Sequence, residues 1–293
     1  MQRKGIILAA GRGSRLFPAT LGCSKILLPV YNKPMIYYPL SILMSAKIRD
    51  ILIIVSELEL PRFKRLLGDG SQWGIKLQFA VQAETRGIAD AFLIGEDFLA
   101  GDPCALILGD NVFYGNDLSQ QLQAIPLDNP ATIFAYAVND PERYGVIELD
   151  SEKKALSIEE KPTLPKSRYA IPGLYFFDHQ AIEFAKTLSP SARGELEVVD
   201  IQKAYLAKNQ LRVEILRRGI AWFDSGTPAS LLQTSQFIET IEERQGVMIG
   251  CPEEIAFKEG YIDEAQLREL ASPLQQTPYG HYLAHLADEA VMA

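Results

Sequence analysis

The sequence predicts an α/β protein: a Rossmann-like, mixed but mostly parallel sheet flanked by helices, followed by a small helical segment. Three observations carry that expectation. Short apolar, β-branched runs alternate with amphipathic stretches through the first third of the chain, which implies right-handed crossovers onto a parallel sheet. The first run ends in a glycine-rich turn, Ala10-Gly11-Arg12-Gly13-Ser14-Arg15. From Ala131 the rhythm changes to closely spaced strand-like runs separated by turn signals, which mixes antiparallel strands into the sheet.

Taken in order, Gly5–Ala10 is continuously apolar, the pattern of a strand buried on both faces. The glycines after it let the backbone turn tightly and aim bare N–H groups at an anion, while Arg15 and then Lys25 add positive charge. These are the parts of a polyphosphate cradle. The loop is not a dinucleotide fingerprint, because Leu16 and Phe17 follow Arg15 where a third glycine belongs, and the chain has no P-loop. An ordinary β–α turn with surface cations is the plain alternative, and only downstream residues separate the two.

Further strands are predicted at Asp50–Ser56, Lys76–Val81 and Cys104–Leu108, with helices over Pro34–Ala46, Leu60–Leu67 (closed by Gly68) and Gly87–Phe98. The second half reads as strands at Ile133–Val138, Val146–Leu149, Ala155–Ile158, Tyr169–Phe177 and Leu211–Leu216. Helices are predicted at His179–Leu188 and Glu195–Lys208. Thr227-Pro228 reads as an N-cap followed by proline at the first helical position, opening a helix to about Arg244. The expected division is residues 1–244 as the α/β domain and 245–293 as the helical segment.

Composition narrows the function. The 293 residues are 47% hydrophobic with a formal charge of −8, so nucleic acid is not an expected partner and an anionic substrate needs a local cluster of cations. Cys23, Cys104 and Cys251 are far apart and lack C-x-x-C spacing, which argues against a zinc site and suits a reducing compartment. The N-terminal apolar run is too short for a signal peptide, and no stretch is long enough to span a bilayer. A cytoplasmic protein with no membrane partner is the expectation.

In open parallel sheets, ligands sit beyond the carboxyl ends of the strands. Asp110, in Leu108-Gly109-Asp110-Asn111, falls there, although a turn aspartate is the simpler reading. Asp224, in Trp222-Phe223-Asp224-Ser225-Gly226, holds a second strand-to-helix junction, where it could be merely an extra capping acid. Brought together, the two would make an oxygen-only site suited to Mg²⁺. Glu160 and Lys161 end a strand side by side. Alternation sends them to opposite faces unless the strand kinks there, as Pro162 favours.

These motifs, joined by Ser24-Lys25-Ile26-Leu27-Leu28-Pro29, Asp140-Pro141-Glu142-Arg143-Tyr144-Gly145, Glu159-Glu160-Lys161-Pro162 and Ser191-Ala192-Arg193-Gly194-Glu195-Leu196-Glu197, resemble the glucose-1-phosphate thymidylyltransferases of the sugar nucleotidyltransferase family. The resemblance runs from about Gly5 to Tyr282. It implies the nucleotide-diphospho-sugar transferase fold, Mg²⁺ as cofactor, dTTP and glucose 1-phosphate as substrates, and a homotetramer serving dTDP-L-rhamnose synthesis for cell-surface polysaccharide. It implies that Gly11, Gly13, Arg15 and Lys25 hold the triphosphate, that Gln82 and Gly87 read the pyrimidine, and that Asp110 and Asp224 bind the metal. Asn111, Tyr144, Gly145, Glu160 and Tyr175 would line the sugar pocket, with Lys161 and Arg193 on its phosphate. Arg15, Lys25, Asp110 and Lys161 would be the catalytic set. A second, regulatory nucleotide site would include Arg218 and Gly219, with Met248 and Asn116 standing where a lysine and a histidine are usual. UTP or another hexose 1-phosphate is the alternative substrate choice, and a non-catalytic sugar-nucleotide sensor the alternative class.

Overall fold

The computed structural model describes residues 2–292. Strand β1 (Lys4–Leu8) is followed by a short hairpin, β2 (Pro29–Val30) and β3 (Lys33–Pro34), then by β4 (Asp50–Val55), β5 (Lys76–Val81) and β6 (Cys104–Leu108). Four of these lie parallel in the order β5-β4-β1-β6. The all-apolar runs explain the position: Ile6, Ile7, Ile51, Ile53, Ile54 and Ile107 are sealed from solvent by helices on both faces.

The second half adds β7 (Asn111–Tyr114), β8 (Ala131–Ala137), β9 (Gly145–Leu149), β10 (Ala155–Glu160), β11 (Tyr169–Ala170), β12 (Leu174–Phe177), β13 (Leu211–Ile215) and β14 (Ala221–Asp224). β12 slots antiparallel between β6 and β8. On its other edge β8 pairs in parallel with β13 along Ala131–Ala135, while β11 continues the β12 edge, antiparallel at Tyr136 and Ala137. The sheet therefore forks, and β9 and β10 extend the β11 branch. β7 and β14 form a separate antiparallel ribbon.

The structure differs from the sequence expectation at several boundaries. The Tyr169–Phe177 run is two strands, because Ile171-Pro172-Gly173 breaks the ladder: both halves pair with β8, but β11 turns its far edge to β9 and β12 to β6. The expected Gly87–Phe98 helix begins only at Asp90 and is interrupted at Gly95; Gly87, at φ +108°, is committed to a turn. The Glu195–Lys208 helix starts at Val198, leaving Glu195 and Glu197 in a loop. The helix after Thr227 is as expected, Pro228–Gln245, capped reciprocally by Thr227 and Ser230 and closed by left-handed Gly246.

The C-terminal helices, Pro252–Lys258, Glu264–Ala271 and Pro278–Met292, do not stand apart. Ile249, Cys251, Ala256, Leu267 and Leu283 share one core with Met35, Tyr38 and Trp73 under the sheet. Among the described residues, no helix is long and apolar enough to cross a membrane.

Candidate active site

Leu8 and Leu108 are register partners at the carboxyl ends of β1 and β6, so the Gly11 loop and Asp110 leave the sheet at one rim. Two hollows open there. One is lined by Gly11, Lys25, Gln82, Thr85 and Gly87. The other is lined by Asn111, Tyr144, Gly145, Glu160, Lys161, Tyr175, Arg193 and Asp224. Arg15, Ile88, Leu108, Asp110 and Glu195 border both. The two hollows thus share a wall that carries one cation, Arg15, the buried Asp110 and a second carboxylate, Glu195.

The aspartate is held from three sides. Lys25, at the start of a 3₁₀ turn capped by the Ser24 hydroxyl, donates Nζ to Asp110 Oδ2. Asn111 Nδ2 donates to Asp110 Oδ1 at 3.1 Å. The orientation of that amide is forced, because Asn111 Oδ1 already accepts from Trp222 Nε1 at 2.7 Å and from the Gly173 N–H at 3.0 Å. Asp224 arrives on β14 opposite Asn111, and the Ser225 N–H donates to the Asp110 carbonyl at 3.0 Å. The ribbon of β7 and β14 is what brings the two distant aspartates to one place.

Their titration reflects this. Burial alone would raise the Asp110 carboxyl, but the charge and hydrogen bond of Lys25, with the Asn111 amide, outweigh it and hold it below the ordinary carboxylate range. Asp224 is pushed up, first by burial and then by the negative charge of Asp110, against the opposing charges of Arg15, Lys25 and Arg143. Two carboxylates that repel one another in a buried site, both facing a cleft, are a donor set that fits Mg²⁺. Among the described residues there is no cluster of three or more histidine, cysteine or acidic groups that would form a richer cage.

Arg15 reaches this wall over Gly226: any Cβ there would collide with the guanidinium. Gly13 lines neither hollow. Its left-handed backbone, φ +62°, packs against the Lys25 stem, and its carbonyl accepts from the Thr20 hydroxyl at 2.7 Å, so it shapes the loop. Arg12 points to a different hollow, beside Phe17 and Cys23.

At the far end, Lys161 adopts φ +44°, which takes it out of strand alternation and lets it join Glu160 in one hollow. Glu160 is pushed up by burial, against Lys161 and Arg193. Arg193 is braced by the Glu197 carboxylate at 2.8 and 2.9 Å, and by Glu195 and Glu160 at 3.1 and 3.3 Å. Tyr175 is buried, only 4% exposed, and its phenol is raised by that burial. Arg218 and Gly219 are elsewhere, in a separate hollow of about 610 Å³ with Tyr114, Asn116, Phe237 and Gln245.

Sequence reasoning missed Trp222 and Glu197. Trp222 sets its ring 5.0 Å from that of Tyr144, tilted at 59°, and orients Asn111; its place two residues before Asp224, hence on the same strand face, is the available signal. Glu197 has no such signal of its own, because helical spacing places it inside Glu195–Lys208.

Residues 4–241 match the family model described as nucleotidyl transferase. The glucose-1-phosphate thymidylyltransferase of Xanthomonas campestris pv. campestris is 55% identical over 98% of this chain and 97% of its own length. The chain belongs to the nucleotidyl transferase family, among its glucose-1-phosphate thymidylyltransferases. The Mycolicibacterium smegmatis enzyme of that name is 53% identical over 97% of this chain and 99% of its own. Among solved structures, a UDP-glucose pyrophosphorylase complexed with UDP-glucose, only 22% identical, superposes with TM-score 0.72 over 82% of this chain and 99% of its own. That likeness is one of fold alone.

Proposed function

We propose that this chain transfers the thymidylyl group of dTTP to α-D-glucose 1-phosphate, giving dTDP-glucose and pyrophosphate. The observation that carries the reading is the pair of hollows meeting at Arg15 and Asp110. One has a glycine loop and the Gln82 amide, the other, beyond the shared Arg15, three cations, Arg143, Lys161 and Arg193. The names of the relatives at 55% and 53% identity agree with it.

The reaction needs no protein nucleophile. An oxygen of the sugar phosphate is already anionic; it attacks the α-phosphorus, forms the new P–O bond, and the bond to pyrophosphate breaks in line. The protein must hold two polyanions against their repulsion and stabilise charge that builds in flight. Lys161 and the Nη1 edge of Arg193 grip the incoming phosphate, while Arg15 and Lys25 take the triphosphate. Asn111, Glu160 and Gly145 position the sugar. Asp110 and Asp224 would hold Mg²⁺, which supplies further neutralisation of the phosphate oxygens when bound.

Pyrophosphate release measured over a panel of dTTP, UTP and several hexose 1-phosphates tests this. The reading expects dTTP with glucose 1-phosphate to be the most efficient pair; no release with any pair would end it. The hollow at Arg218 and Gly219 is assigned to a regulatory nucleotide sugar. Arg218→Ala is expected to weaken inhibition by a dTDP-linked end product without a matching loss of turnover.

A further inference from the structure

Asp90 belongs to no part of the reaction described above, yet it is only 4% exposed and lies directly behind the residue assigned to the base. Its Oδ2 accepts from Gln82 Nε2 at 2.9 Å, and its Oδ1 lies 3.6 Å from Arg86 Nη1. Gln82 is itself fixed at the backbone, where its N–H donates to the Val55 carbonyl at 2.9 Å. Its Oε1 accepts no hydrogen bond from the described residues and is not sealed off, and Gln82 lines the hollow with Gly11, Lys25 and Gly87.

We infer that Asp90 is a positioning residue that selects the nucleobase by locking the Gln82 amide in one of its two orientations. A carboxylate can only accept, so the amide nitrogen must face it. Turning the amide over would place Oε1 against the carboxylate, two acceptors in contact. The locked amide therefore offers the hollow an acceptor, Oε1, and one remaining Nε2–H donor. Thymine and uracil present the matching edge: an N3–H donor beside the O4 acceptor. Cytosine presents the reverse, an N3 acceptor beside an amino donor, and would need the inverted amide. The pair thus rejects cytosine while leaving the 5-methyl group unread. The inference rests on the reading that Gln82 faces the base.

The test is equilibrium binding of dTTP, UTP and dCTP to the full-length protein by calorimetry, which does not depend on sugar turnover. In Asp90→Asn the neighbouring amide can donate as well as accept, so Gln82 is free to invert. The dTTP-to-dCTP affinity ratio should fall on the order of tenfold, the scale of one mispaired bidentate contact, with UTP tracking dTTP. A ratio equal to wild type, even with all affinities weakened together, would mean that Asp90 only supports the fold and would overturn the inference. If Asp90→Asn does not fold, Gln82→Ala replaces it: the ratio must collapse towards one, and a preserved ratio overturns the inference equally. If no nucleotide pair is turned over but the ratio behaves as stated, the proposed reaction fails and the base-selecting role stands.

Discussion

Two lysine–carboxylate pairs from the same N-terminal stretch have opposite fates. Lys33 and Glu242 meet at 2.7 Å with side chains 2% and 6% exposed. The remaining capacity of that carboxylate is filled by Asn32 Nδ2 at 2.7 Å and the Ile249 N–H at 2.8 Å. Burial lowers the Lys33 ammonium, and Glu242 opposes the shift. Lys25 and Asp110 are also paired, but on the rim of two hollows, with a second carboxylate, Asp224, repelling the first. A buried pair whose partners are complete ties segments together, here the hairpin, the long helix and the C-terminal segment. A buried pair left beside unbalanced charge at an opening is equipped for chemistry.

Breaking each pair should separate the two roles. The largest effect is on the structural pair: Lys33→Met strands a buried carboxylate and should cost about 3–5 kcal/mol of stability, read by denaturant unfolding, with kcat of the folded fraction retained. Lys25→Met should show the reverse, a loss of turnover on the order of 10²–10³-fold with a smaller loss of stability. Equal stability losses in the two variants would break the comparison.

Lys161→Ala sharpens it from the sugar end. Removing a charge-assisted contact to a phosphate should raise KM for glucose 1-phosphate about tenfold and KM for dTTP much less; the opposite order would move Lys161 to the other substrate. The smallest effect is on stability at Asp224. Its carboxyl titrates above its unfolded value, so ionising it in the folded state is unfavourable. That penalty is complete above the folded pKa and disappears as pH falls through it. Asp224→Asn should therefore raise stability at neutral pH by about 0.5–2 kcal/mol, a gain that fades on acidification. Asp110 has the opposite sign, since its lowered pKa contributes stability that is lost as pH falls.

The nucleotide end was legible in the sequence because its parts are local. An apolar strand, a glycine loop and Lys25 follow one another within one stretch, and the backbone rule for parallel sheets says where they point. The sugar end was legible only through the joint motifs, because its residues come from β7, β9, β10, β12, β14 and a loop before Val198. The kink that turns Lys161 beside Glu160 depends on a left-handed backbone that Pro162 hints at but does not specify. Asp224 was findable, but its meeting with Asp110 depends on the β7–β14 ribbon, whose pairing no periodicity announces. The helix boundaries at Asp90 and Val198 were misplaced because amphipathic spacing does not register where neighbouring backbone, such as Leu196 against Gly87, claims the chain first.

The most direct test of the account is pyrophosphate release from dTTP and glucose 1-phosphate by wild type, Asp110→Asn and Asp224→Asn, each titrated with Mg²⁺. The account predicts that both variants lose turnover on the order of 10²–10³-fold while still unfolding cooperatively. Wild-type rates in both variants would contradict it.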